Sequence, residues 1–179
     1  MKDELGQRIK TQYEDRTRYS VPRRTYSIIR LDGKAFHTYT RGLKKPFDLE
    51  LIDDLNLSVT KIMPHIQGAV FAYVQSDEIS ILLTDFEKPT TSAWFDGNIQ
   101  KIVSVSSSLI TAEFNKQRIF RFDQVDRNVK YYTNELELAF FDSRLFTIPD
   151  RIEVMNYFIW RNQDCARNSV SMVAQSLYS

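Results

Sequence analysis

Apolar residues follow two rhythms along the chain. Short alternating or unbroken apolar runs predict strands at 25–31 ("TYSIIRL"), 68–74 ("GAVFAYV"), 78–85 ("EISILLTD") and 136–146 ("LELAFFDSRLF"). Helical spacing predicts three helices. Asp48 caps the first, Leu51, Leu55, Val59 and Ile62 mark its face, and Pro64 stops it; Ile99, Ile102, Val103, Ser106, Leu109 and Ile110 mark the second; Pro149-Asp150 opens a third carrying Ile152, Met155 and Ile159. Ahead of the first strand, an arm to about Tyr19 carries Leu5 and Ile9 among many charges, which predicts a short, mostly exposed helix ended by Pro22. Asp32-Gly33 breaks the first strand, and Gln75-Ser76 reads as a tight connection that folds the second and third strands into a hairpin. Gly42 and Pro46 predict irregular backbone over "HTYTRGLKKPFD", and the charged stretch from Lys116 to Glu135 shows no period.

The order of elements is β-α-β-β-α-β followed by a helix, an α+β chain on the ferredoxin-like or split βαβ plan. No repeat or linker divides it, so one domain is expected over 1–179, with an arm over about 1–22 and a C-terminal helix over about 150–178. In that plan the first strand lies antiparallel beside the third. Asp32 ends one and Asp77 begins the other, so the two are expected to meet at one edge of the sheet.

Composition narrows the picture. Hydrophobic residues make up 42% and aromatic residues 13%, enough for a sizeable core. The net charge of +1 creates no global field for nucleic acid, so such binding has to rest on local patches. Cys165 is the only cysteine, which excludes an intramolecular disulfide framework and a multi-cysteine zinc site and fits a reducing cytosol. No run approaches the roughly 20 apolar residues that span a bilayer, and "MKDELGQRIK" lacks the apolar core of a signal peptide. The expectation is a cytoplasmic protein without membrane association.

Carboxylates that converge repel one another, and a hard divalent ion relieves the repulsion. Mg²⁺ takes one or two carboxylates plus water and substrate phosphate oxygens, the arrangement of nucleotidyl transfer. Asp32, Asp77 and Glu78 form the candidate group, and Gly33, lacking a Cβ, lets its carbonyl approach a metal or phosphate. The plainer reading is a turn at Asp32-Gly33 and a polar hairpin tip at Asp77-Glu78. Lys44, Lys45 and Lys101, with a helix N-terminus near Asn98, are candidate triphosphate contacts or solvated surface charges. Arg16, Arg18, Arg23, Arg24 and Arg30 form a basic segment suited to RNA phosphates or to ordinary surface. His37 serves either a nucleotide or packing; His65 reads as a loop residue.

Five ordered segments, "RLDGKAFH" (30–37), "KPFD" (45–48), "SDEIS" (76–80), "FDSR" (141–144) and "WRNQDCARN" (160–168), resemble the motifs of the tRNA-histidine guanylyltransferase superfamily from about Arg23 onward. The resemblance implies a polymerase-palm-like domain that adds nucleotides to the 5′ end of an RNA, with two Mg²⁺ ions on Asp32, the Gly33 carbonyl and Asp77, supported by Glu78. It further implies triphosphate contacts from Lys34, Lys45, Ser76 and Lys101, and placement of the nucleotide, ATP, GTP or another triphosphate, by His37 and Asp48. Arg23, Arg24, Arg30, Arg161 and Asn168 become candidate RNA contacts, tRNA the partner, and a homo-oligomer, a dimer of dimers, the expected assembly. Eukaryotic members carry His-Ile-Asn where this chain has Ala166-Arg167-Asn168. That replacement is similar to the bacterial and archaeal Thg1-like proteins, which imply template-directed 3′-to-5′ repair of truncated tRNA rather than obligate addition of one G to tRNA-histidine. Relatives ordinarily continue past the position of Ser179, so RNA binding or assembly is expected to differ here. A nucleotide cyclase and a non-catalytic RNA- or nucleotide-binding module are the more distant alternatives.

Overall fold

The structure, a computed structural model, describes residues 3–124 and 137–178. An exposed helix α1 (Glu4–Gln12), capped by Asp3, precedes strand β1 (Tyr26–Gly33). The chain continues through a short helix α2 (Phe36–Tyr39), helix α3 (Leu49–Ile62), strands β2 (Ala69–Gln75) and β3 (Glu78–Leu83), helix α4 (Ile99–Gln124), strand β4 (Phe141–Ile148) and helix α5 (Arg151–Tyr178). The strands pair antiparallel throughout in the order β2-β3-β1-β4, so β1 lies beside β3 as the sequence implied.

Strand alternation assigns the two faces of this sheet. Ile29 and Leu31 of β1 and Ile79, Ile81 and Leu83 of β3 point to one side. There they pack with Leu55, Val59 and Ile62 of α3 and Ile102, Ile110 and Phe114 of α4, all buried. The other face carries Arg30, Glu78 and Ser80 beside Ile28, and α5 covers it with Val154, Tyr157 and Arg161. Tyr157 meets Phe146 edge-on and shares a 2.8 Å hydrogen bond with Ser80, while Phe158 packs on Phe71.

Several boundaries differ from the sequence expectation for identifiable reasons. Ile152, Met155 and Ile159 marked the last helix, yet they are its exposed side. The helix rests on a partly polar sheet face, which a tyrosine and an arginine satisfy better than an aliphatic stripe. The fourth strand starts at Phe141 rather than 136, because the Asn115 side-chain amide binds both the N–H and the carbonyl of Ala139, at 2.9 and 2.8 Å, in place of a neighbouring strand. Part of the unassigned stretch, through Gln124, continues α4, and residues 125–136 lie outside the described residues. The segment expected to be wholly irregular holds α2, whose Phe36 inserts among Tyr39, Phe114 and Phe141. The hairpin turn is Ser76-Asp77, one residue later than expected.

An ion-pair cluster locks α3 to α4. Asp54, 2% exposed, faces Arg118 Nη1 at 2.9 Å and Arg121 Nε at 2.7 Å. Removing one member of a buried pair strands its partners' charge, so Asp54→Ala is expected to destabilise the fold by about 3 kcal/mol. Urea unfolding at neutral pH measures this.

Candidate active site

Register, not proximity in sequence, assembles the site. On β1 and β3, Asp32 stands opposite Glu78, and β1 pairs on its other side with β4, where Asp142 stands opposite Asp32. The backbone N–H of Gly33 donates to the carbonyl of Asp77 at 3.2 Å, so the hairpin tip lies against the end of β1. Asp32 and Asp77 are therefore neighbours, as the strand order required. Ser76, held at φ 51°, directs its hydroxyl to Asp77 Oδ1 at 3.0 Å.

The electrostatics of Asp77 follow from this placement. Burial raises its pKa above the ordinary carboxylate value and the charge of Asp32 raises it further, against a lowering by the Ser76 hydroxyl and the backbone. Two like charges meet where solvent is thinned. Two carboxylates and the carbonyl next to them make a hard oxygen donor set suited to Mg²⁺, whose remaining positions go to water or phosphate. Among the described residues no three acidic, histidine or cysteine side chains form an all-protein cage.

Gly33 has a packing role beside the expected one. A Cβ there would fall 2.2 Å from Phe36 Cδ2, and that ring is fixed in the core. The glycine thus sets how closely α2 folds back on the end of β1. The connection leaving that end carries Lys34, His37 and Lys45, all exposed, and His37 Nε2 lies 3.1 Å from the Thr38 hydroxyl. Asp48 caps α3 through Leu51 N–H at 2.9 Å and accepts from Lys44 N–H at 3.2 Å.

Other candidates lie elsewhere. Lys101 sits in the first turn of α4, whose Asn98 pairs with Ser20 ahead of β1. Its ammonium lies 5.8 Å from the centre of the Phe95 ring, on the α4 side of the sheet, and no contact among the described residues joins it to Asp32 or Asp77. Glu78 gives one oxygen to Arg30 Nη2 and sets the other 2.7 Å from Arg161 Nε, a contact of charge without in-line hydrogen-bond geometry. It is consumed by two guanidinium groups and does not face the Asp32–Asp77 pair as a third ligand. For the same reason Arg30 and Arg161, the latter 3% exposed, are not RNA contacts. Arg23 and Arg24 are exposed but engaged: both bind Asp85, and they reach the carbonyls of Thr91 and Pro89. Asn168 is exposed on α5, with its amide 3.5 Å from Asp164.

Arg144 received no role from the sequence. Its guanidinium lies 3.8 Å from Asp32 and 3.8 Å from Asp142. The signal was present in the strand order: once β4 is placed beside β1, a basic residue two positions after an acidic one falls next to Asp32.

Comparison with known proteins agrees with this geometry. The family pattern described as tRNAHis guanylyltransferase matches residues 6–149. The chain belongs to the tRNA-histidine guanylyltransferase family. Solved structures titled as a bacterial tRNA(His) guanylyltransferase (Thg1)-like protein in complex with GTP, and in complex with ATP, are 45% and 44% identical. Each superposes with a TM-score of 0.85 over 97% of this chain, covering 76% and 71% of the respective chains. An uncharacterized protein of Acanthamoeba polyphaga mimivirus is 30% identical over 97% of this chain and 63% of its own length. The tRNA(His) guanylyltransferase of Schizosaccharomyces pombe is 29% identical over 82% of this chain and 51% of its own. The chain thus spans about half the length of such curated relatives, from 44% to 63%. No helix among the described residues is long and apolar enough to cross a membrane.

The raised carboxyl of Asp77 has a stability consequence with a definite sign. The folded chain holds that proton more tightly than the unfolded one, so stability falls as pH rises from the ordinary aspartate range through the raised value. Asp77→Asn is expected to raise Tm at neutral pH, with the gain vanishing below the ordinary aspartate range. Added Mg²⁺ should raise the Tm of the wild type and leave the variant unmoved, which thermal unfolding across pH measures.

Proposed function

We propose that the protein is a Mg²⁺-dependent, template-dependent nucleotidyltransferase that adds nucleotides in the 3′-to-5′ direction to the 5′ end of truncated tRNA. The observation that carries this reading is the meeting of Asp32 and Asp77 at the end of β1, where burial and mutual charge make a cation favourable. Likeness to Thg1-like proteins solved with GTP and with ATP supports a nucleoside triphosphate at that end. The β-α-β-β-α-β order around an antiparallel sheet supports a ferredoxin-like, polymerase-palm-like domain.

In this reading Asp32, Asp77 and the Gly33 carbonyl hold the metal, two ions when substrate is bound. When bound, Mg²⁺ lowers the pKa of the attacking hydroxyl and neutralises charge on the triphosphate and leaving group. Lys34 and Lys45, with the Ser76 hydroxyl, meet the triphosphate, while His37 and Asp48 place the nucleotide. A 5′-monophosphate end is first activated: a phosphate oxygen attacks the α-phosphorus of a triphosphate and pyrophosphate leaves. The 3′-hydroxyl of the incoming nucleotide then attacks the activated 5′ phosphorus, and the nucleoside monophosphate leaves. Protein groups fix the two phosphorus centres in line and keep the ends oriented; no side chain becomes covalently bound. The assembly is a homo-oligomer, consistent with exposed Ile152, Met155 and Ile159 on α5, and the compartment is the cytoplasm.

A narrower reading, addition of one G to tRNA-histidine, is favoured by the names of the curated relatives. The Ala166-Arg167-Asn168 segment argues for the broader one. Truncated tRNA labelled at its 5′ end, incubated with Mg²⁺ and each triphosphate, is expected to gain the complement of the opposing template base. Addition of G opposite all four bases selects the narrower reaction. Asp77→Ala should lower addition by at least about 100-fold, of the order seen when a group stabilising transferred charge is removed, while tRNA binding by filter assay stays within a few-fold. Surviving addition in that variant refutes the metal assignment.

A further inference from the structure

The turn that carries Asp77 has a support that the proposed reaction does not use. Ser76 and Asp77 form a two-residue turn between Gln75 and Glu78, which pair across the base of the hairpin. Both residues of that base bind the same side chain. Arg161 Nε lies 2.7 Å from Glu78 Oε1. The Gln75 amide, oriented with its oxygen toward the guanidinium, accepts from Arg161 Nη2 and donates to the Arg161 carbonyl, at 2.5 Å each. Arg161 Nη2 also reaches Asp164 Oδ2 at 2.7 Å, and Arg30 takes the other oxygen of Glu78.

We infer that Arg161 is a positioning residue: it holds both strands at the base of the Ser76-Asp77 turn and thereby fixes the Asp77 carboxylate against Asp32. This rests on the reading of Asp32 and Asp77 as the cation-binding pair. The physical need is plain. Before a cation arrives, the two carboxylates repel, and a two-residue tip held to β1 by one backbone hydrogen bond would splay. A buried cation on the adjacent Glu78 opposes that motion from the face of the sheet on which α5 lies. The guanidinium fork matters because it spans Glu78, Gln75 and Asp164 at once, which a single ammonium does not. One turn earlier on the same helix, Tyr157 docks separately through Ser80 and Phe146, so α5 keeps a seat when Arg161 is replaced.

The test is titration of the full chain with Mn²⁺ in the presence of GTP, followed by electron paramagnetic resonance, which reads the site without requiring tRNA extension. Outer partners of metal-binding groups typically contribute 10- to 100-fold in affinity. Arg161→Met is therefore expected to weaken Mn²⁺ binding about tenfold or more, while near-ultraviolet circular dichroism still reports a packed α5. Arg161→Lys should recover part of the loss. Glu78→Gln should weaken binding comparably, and the double variant Glu78→Gln, Arg161→Met no further than the weaker single one, because both act through one clamp. Wild-type affinity in Arg161→Met, or losses that multiply in the double variant, would overturn the inference; the second result would make Glu78 a ligand in its own right. Asp77→Ala separates the two levels: binding lost in Asp77→Ala but kept in Arg161→Met sinks only the positioning role. Binding kept in Asp77→Ala sinks the metal reading itself and the inference with it.

Discussion

Antiparallel pairing of β1 with β3 in one register is the constraint on which everything else here depends. It sets Asp32 opposite Glu78 and lays the Asp77 carbonyl on the Gly33 N–H, bringing together carboxylates more than forty positions apart in sequence. A slip of one residue would turn every side chain of β3 to the opposite face, setting Ile79 and Ile81 against Tyr157 and Arg161 of α5 and burying Glu78 under α3 and α4. The apolar core therefore enforces the polar site. The repulsion between Asp32 and Asp77 is a cost that the fold bears because Ile29, Leu31, Ile79 and Ile81 leave no alternative register.

The face opposite the core shows how such a cost is carried. It holds Arg30, Glu78 and Ser80 in central strands, and a bare polar face of that kind would be left to water. Helix α5 covers it with Tyr157, which shares a hydrogen bond with Ser80, and Arg161, whose charge faces Glu78, rather than with an aliphatic stripe. Buried ion pairs add little net stability over hydrophobic packing, but they fix which groups meet. That matters at this place, since Glu78 adjoins the turn bearing Asp77. The Arg161–Asp164–Arg167 series along α5 continues the network outward, where Arg167 first and Arg161 with it hold the Asp164 carboxyl below its ordinary pKa.

Most of the fold was legible in the sequence because its helices and strands carry strong periods. Leu55, Val59 and Ile62 are buried where their spacing put them, and the Asp32–Asp77 meeting followed from strand order alone. What escaped was whatever depends on partners distant in sequence. Glu78 looks like a third metal ligand until Arg30 and Arg161 are seen to claim it; nothing local to "SDEIS" announces an ion pair with an arginine more than eighty residues later. Lys101 is harder to read from sequence for a similar reason, since its place relative to Asp32 depends on how the start of α4 packs, here beside Phe95. The apolar residues of α5 misled because periodicity reports that a face exists, not which face is covered. Only knowledge that α5 lies on a polar surface selects Tyr157 and Arg161 over Met155 and Ile159.

The placement of the arginines changes where negative substrate can be met. With a net charge of +1, the molecule offers no general attraction for RNA, so on the proposed reading its recognition would rest on local groups of cations. Arg30 and Arg161 are withdrawn into the α5 interface, and Arg23 and Arg24 tie the start of β1 to the segment after β3. Among the described residues, the exposed cations in the connection beyond β1 are Lys34, Arg41, Lys44 and Lys45, and Arg144 is exposed on β4. Arg144 stands loosely between Asp32 and Asp142, over half exposed, at distances that a divalent ion on Asp32 would readily outcompete. On the proposed metal reading, an ion on Asp32 would compete with this guanidinium for the carboxylate and leave Arg144 able to meet a phosphate at the same strand edge.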